Sequence, residues 1–162
     1  LPNCNVGIIS KNMTTPTFTC KSFDELTTLE LYSLLQLRSE VFVVEQNCVY
    51  QDVDGYDQIA IHLLMYLDNK LCAYSRLIPP GIKYESASIG RVVTQRGARG
   101  GGHGKALMES AMAHCKRLWP EAGLTISAQA YLEKFYQSLG FKTDSEPYME
   151  DDIPHIQMRL FY

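Results

Sequence analysis

The chain has 162 residues, 46% hydrophobic and 20% charged, which excludes a disordered or low-complexity protein and suits one domain with a sizeable core. With 15 Lys and Arg against 18 Asp and Glu, the formal net charge of −3 leaves no basic stripe for a nucleic-acid backbone. No apolar run is long enough to span a bilayer, and five cysteines without a C-x-x-C spacing read as the reduced thiols of a cytoplasmic protein.

Residues 1–12 are polar and aperiodic and are expected to be a disordered leader or an expression-derived segment, with the domain over residues 13–162. Thr17 to Ser22 alternates as a short first strand. Thr27 or Thr28 can cap a helix in which Leu29, Leu31, Leu34, Leu35 and Leu37 form the apolar stripe. Val41-Phe42-Val43-Val44 follows without punctuation, so the helix is expected to continue to about Val44. Ala60–Leu67 and Lys70–Ile78 read as two strands of a hairpin joined by Asp68-Asn69, and Pro79-Pro80-Gly81 closes the second. Ala87 to Thr94 is the central strand. A helix from about Gly102 to Leu118, a strand Leu124–Ala128, a short helix Tyr131–Leu139, and strands from Phe141 and from His155 to Phe161 complete the chain. The order β-α-β-β-β-α-β-α-β-β is that of a single mixed α/β domain.

Between the central strand and the long helix lies Gln95-Arg-Gly-Ala-Arg-Gly-Gly-Gly-His-Gly-Lys105. Arg91, Arg96, Arg99, His103 and Lys105 concentrate positive charge here, and a helix N-terminus favours an anion through its free N–H groups and dipole. Two phosphate motifs fail. The P-loop needs a hydroxyl after Gly104-Lys105, where Ala106 stands; G-x-G-x-x-G would need glycine at Lys105 or at Leu107.

Arg99-x-x-Gly102-x-Gly104, after a strand and before an amphipathic helix, resembles the R/Q-x-x-G-x-G/A acyl-CoA signature of the GNAT N-acetyltransferase superfamily. Phe135-Tyr136 and Gly140-Phe141 resemble its second element. Leu34 to Arg38, Val41 to Gln46, Asp52-x-Asp54, Ile89 to Val92, Ala128-Gln129 and Ile153 to Met158 are similar to small bacterial ElaA/YjcF-type members. The resemblance implies a GNAT-type α/β domain: a mixed, mostly antiparallel twisted sheet of six to seven strands flanked by helices. It implies acetyl-CoA as co-substrate and no metal. Val92, Val93 and Thr94 would hold the pantetheine through the backbone, one N–H serving as oxyanion donor. Arg99, Gly100, Gly101, Gly102, His103, Gly104 and Lys105 would cradle the pyrophosphate. Gln129 would bond the pantetheine where many members carry Asn, and Tyr136 would protonate the departing thiolate.

The base is open between Glu45, Asp52, Asp54, Glu150 and His155, with Glu45 and His155 carried as catalytic candidates, and a relayed water would also serve. Asp52, Asp54, Asp57 and the acidic residues from Glu146 to Asp152 could line a negative cleft for protonated amines, whereas His62 and Arg38 suggest buried hydrogen bonding. The implied function is acetyl transfer from acetyl-CoA to a primary amine of a small molecule or protein by direct attack. The alternative is a non-catalytic acyl-CoA-binding regulatory module. No nucleic-acid or membrane partner is expected, and a monomer or homodimer is.

Overall fold

The structure is a computed structural model that describes residues 15–162, so the expectation for residues 1–12 lies outside it. Strands β1 (Thr17–Ser22), β2 (Ile61–Leu67), β3 (Lys70–Ile78) and β4 (Ala87–Thr94) form an antiparallel meander. β5 (Leu124–Gln129) joins β4 in parallel, and β8 (Ile153–Leu160) joins β5 antiparallel. β6 (Lys142–Thr143) and β7 (Tyr148–Glu150) both pair with β8, giving an eight-stranded, mostly antiparallel sheet.

Sequence chemistry sets the turns. Asp68 and Asn69 have φ of 49° and 60°, the left-handed pair that a two-residue hairpin requires. Asp151 and Asp152 repeat this at 48° and 60° and join β7 to β8, a hairpin absent from the sequence expectation. Its strand is only three residues long, and its turn reads in sequence as part of an acidic cluster.

Helix α1 (Thr28–Arg38) is capped by Thr27: Glu30 N donates to Thr27 Oγ1 at 3.1 Å, and Thr27 N to Glu30 Oε2 at 2.8 Å. The helix continues past Arg38, as its unpunctuated sequence suggests, but with wider winding. Ser39–Glu45 is a π-helix, with Gln46 N bonding Val41 O and Cys48 N bonding Val43 O, both at 3.1 Å. Such windings are rare and recur at functional sites.

The helices cover the two faces of the sheet unequally. Leu107, Met108, Ala111 and Cys115 of α2 (His103–Leu118) pack on one face with Ile126, Ala128, Ile156 and Met158. Leu34, Leu37 and Val41 pack on the other, against Leu64, Tyr74 and Val93, over the β2–β4 half alone.

Candidate active site

β4 and β5 pair only at Ala87–Leu124 and Ser88–Thr125 and then diverge. Beyond Ser88, β4 still pairs with β3 on one edge, while its other edge faces a gap. That gap is the floor of a cleft of about 660 Å³, within the size range of ligand pockets.

One wall is the glycine turn. Gly102 caps α2 at φ 78°, with no side-chain cap, so the first-turn N–H groups of His103, Gly104 and Lys105 are left for a ligand. At Gly101 a Cβ would lie 2.9 Å from His103 Nε2, the end of a side chain that can swing aside. At Gly104 a Cβ would meet only Thr94 Oγ1 at 3.8 Å, which fits a motif position that also admits alanine. Val92, Val93, Thr94, Arg99 and Gly100 line this region together with the helix start. Gly101 is the one predicted cradle residue that does not.

α3 (Glu133–Ser138) brings Tyr136 to the cleft. Its ring is 6% exposed and meets Phe135 and Phe141 edge-on at 5.1 and 6.0 Å. Phe141 N closes the helix end onto the Tyr136 backbone carbonyl at 3.2 Å. Burial, with a smaller contribution from Tyr131, pushes the phenol up to about 12. It is therefore fully protonated at neutral pH.

The π-helix delivers two further residues to the mouth. Glu45 meets Arg99, and Gln46 Oε1 accepts from Gln129 Nε2 at 3.3 Å. His155 also lines the cleft, its Nδ1 2.8 Å from Ile153 O and its ring stacked on Tyr148 at 6.3 Å.

The acidic turn behaves differently from the expected negative wall. Asp52 receives Arg38 Nε and Arg91 Nε, both at 2.8 Å, and the Tyr50 hydroxyl at 2.8 Å. Asp54 is forked by Arg76 at 2.7 Å on both oxygens, and Asp57 Oδ1 takes Arg38 and Arg76 at 2.8 and 2.9 Å. Three arginines and three aspartates thus neutralise one another. Burial disfavours charge on Asp54, but the Arg76 hydrogen bonds and charge outweigh it and hold the carboxyl at about 2. His62 is wholly buried: Asp57 O can only accept, so Nε2 donates to it at 2.9 Å and Nδ1 accepts from Tyr74 at 2.8 Å.

This network anchors the floor of the cleft. Arg91 has φ 50°, an uncommon conformation for a non-glycine residue, at the point where the β3–β4 register shifts. Its guanidinium is tied to Asp52 and Asp54 and lies 5.5 Å from the Tyr50 ring. The strain is thereby held by a built ion network, in the strand whose free edge faces the gap.

Sequence reasoning did not single out Ser127, Lys83 or Tyr50, which also line the cleft. Ser127 was recoverable from strand parity: Ile126 and Ala128 face the α2 core, so Ser127 and Gln129 face the other way. Among the described residues, no group of three His, Cys, Asp or Glu side chains is placed to hold a metal ion, and no helix is long and apolar enough to cross a membrane.

Comparison with known proteins gives one answer. The profile of the acetyltransferase (GNAT) domain matches residues 29–161. The chain is 45% identical to the protein ElaA of Escherichia coli K12 over 136 residues, 83% of this chain and 89% of that one. The crystal structure of an acyl-CoA N-acyltransferase from Pseudomonas aeruginosa superposes with a TM-score of 0.85 at 48% identity, covering 90% of this chain and 99% of that one. The crystal structure of Escherichia coli ElaA also gives 0.85, at 40% identity and the same coverage.

Proposed function

The chain belongs to the acetyltransferase (GNAT) family, and from that premise we propose that it transfers an acetyl group from acetyl-CoA to a primary amine by direct attack. The observation that carries this is the uncapped start of α2 beside the unpaired edge of β4, a phosphate site and a pantetheine site in one cleft. Arg99, with Gly100 to Lys105, takes the pyrophosphate. Backbone groups of Val92, Val93 and Thr94 and the amide of Gln129 hold the pantetheine, and one β4 N–H donates to the thioester oxygen as negative charge develops there.

The amine nitrogen forms its bond to the carbonyl carbon, and the carbon–sulfur bond breaks. The departing thiolate takes the Tyr136 proton, which solvent restores, and the amine proton passes to a base or to water. Tyr136 suits the donor role because it is buried, fixed by two rings and protonated. Glu45 and His155 are the candidate proton acceptors. The Arg99 hydrogen bond, together with its charge, holds the Glu45 carboxyl below its ordinary range, which weakens it as a base.

Titration with acetyl-CoA followed by thiol release over a panel of amines tests the proposal. Binding followed by release supports it. Binding with no release on any amine would favour a non-catalytic acyl-CoA-binding module instead.

A further inference from the structure

The uncovered half of the sheet carries a distinct chemistry. α1 packs over the β2–β4 half of its face, leaving Ser127, Gln129, His155 and Gln157 of β5 and β8 half-exposed on the remainder. Three of these, Ser127, Gln129 and His155, line the cleft. An amine arriving here meets the β4–β5 gap from the side opposite α2.

Most charges around the cleft are paired internally, with Lys83, Glu150 and Asp151 in no ion pair among the described residues. Asp52, Asp54 and Glu45 each hold an arginine. Glu150 is an exception. It reaches the cleft from β7, its Oε2 accepts from Ser127 Oγ at 2.8 Å, and Ser127 is itself 2.5 Å from the Tyr148 hydroxyl. Among the described residues, no Lys, Arg or His nitrogen lies within the 4.0 Å of an ion pair with Glu150. The carboxylate is thus positioned by the neutral Ser127 hydroxyl, with its charge left for a visitor. Lys83, from the loop between β3 and β4, is the counterpart: it lines the same cleft, lies 5.7 Å from the Tyr84 ring centre and, among the described residues, has no carboxylate oxygen within 4.0 Å.

We propose that Glu150, seated by Ser127, binds the ammonium of the accepted amine, and that Lys83 receives a carboxylate of the same molecule. The acceptor is then a small zwitterion of the amino-acid class. A diamine would bring its second cation toward Lys83, and an esterified acid would leave Lys83 unpaired. Desolvation lowers the Lys83 ammonium, and the nearby Glu150 raises it. This inference rests on the acetyl-transfer reading given above.

The test measures thiol release from acetyl-CoA with a panel of free amino acids, their methyl esters and putrescine. At least one free acid is expected to exceed its ester and putrescine by about tenfold in kcat/KM. Lys83→Met should erase that preference with acetyl-CoA affinity kept. Glu150→Gln should raise the amine KM about tenfold for acid and ester alike, again with donor affinity kept as evidence of folding. A wild-type preference for the ester or diamine, a preference that survives Lys83→Met, or an amine KM indifferent to Glu150→Gln overturns the proposal. Failure to bind acetyl-CoA, or the absence of thiol release with every amine, is a separate result that overturns the acetyl-transfer reading beneath it.

Discussion

Arg99 donates from Nη1 to Glu45 Oε1 at 2.5 Å and from Nη2 to Oε2 at 3.1 Å, joining residues 54 apart across the mouth of the cleft. The side chains are 41% and 34% exposed, so solvent screens the pair and it adds little to stability. Its effect is positional. With Nε bonded to Thr94 O at 3.1 Å, the guanidinium is parked beside the first turn of α2, where a pyrophosphate would compete with Glu45 for it.

Arg99→Ala should therefore weaken acetyl-CoA binding about tenfold or more, without loss of thermal stability. Glu45→Gln should tighten donor binding severalfold by releasing the arginine, while kcat changes little. Calorimetric titration and steady-state rates check both, and a Glu45→Gln profile that loses its acid limb would reinstate Glu45 as the base.

Tyr136→Phe keeps the two edge-on ring contacts and removes the proton. The expected result is a kcat lower by roughly 10²-fold or more with donor affinity nearly kept. An unchanged rate would take the acid role from Tyr136.

The glycine turn makes a paired prediction. Gly102 sits at φ 78°, so Gly102→Ala forces a side chain into a left-handed conformation at a cost of about 1–2 kcal/mol and weakens donor binding. Gly104→Ala has room against Thr94 Oγ1 at 3.8 Å and should be tolerated in both stability and affinity. Denaturant midpoints and titrations of the two variants, side by side, make the comparison.

Arg38 is fully buried and bonds both Asp52 and Asp57. Arg38→Met should destabilise the fold by about 3–5 kcal/mol, because the buried Asp57 and the half-buried Asp52 each lose one of their two arginine partners. The same loss should reach catalysis through Asp52, which also holds Arg91.

Acid should expose the network as well. The Asp54 carboxyl is lowered to about 2, against about 4 in an unfolded chain, so its stabilisation is fully present above about pH 4 and is lost as the pH falls toward 2. Urea midpoints measured between those pH values should fall with acid, and Asp54→Asn should flatten the slope.

Much of the fold was legible because its local signals are strong. The Asp68-Asn69 turn, the Thr27 cap and the Gly102 helix start each follow from residue chemistry at single positions. β7 was hidden because Tyr148-Met149-Glu150 is too short for a periodicity, and its turn-forming Asp151-Asp152 also reads as plain acidity. The candidate cleft was legible where it is made of backbone geometry, at Arg99 to Lys105, of which all but Gly101 line it. It was obscured where it depends on distant pairing: nothing local in Asp52 or Asp54 announces that Arg38, Arg76 and Arg91 neutralise them. Neither the π winding that carries Glu45 to Arg99 nor the positive φ of Arg91 has a signature in residue type, since both are imposed by packing around them.

The short parallel contact between β4 and β5 has a mechanical meaning. Two residue pairs, Ala87–Leu124 and Ser88–Thr125, are the seam between a half-sheet of β1–β4 and another of β5–β8. A pantetheine bonded to both margins of the gap would serve as a temporary strand, closing a ladder the polypeptide leaves incomplete. Donor loading should then couple the halves into one stiffer body, with amide exchange slowing along β4 and β5 together.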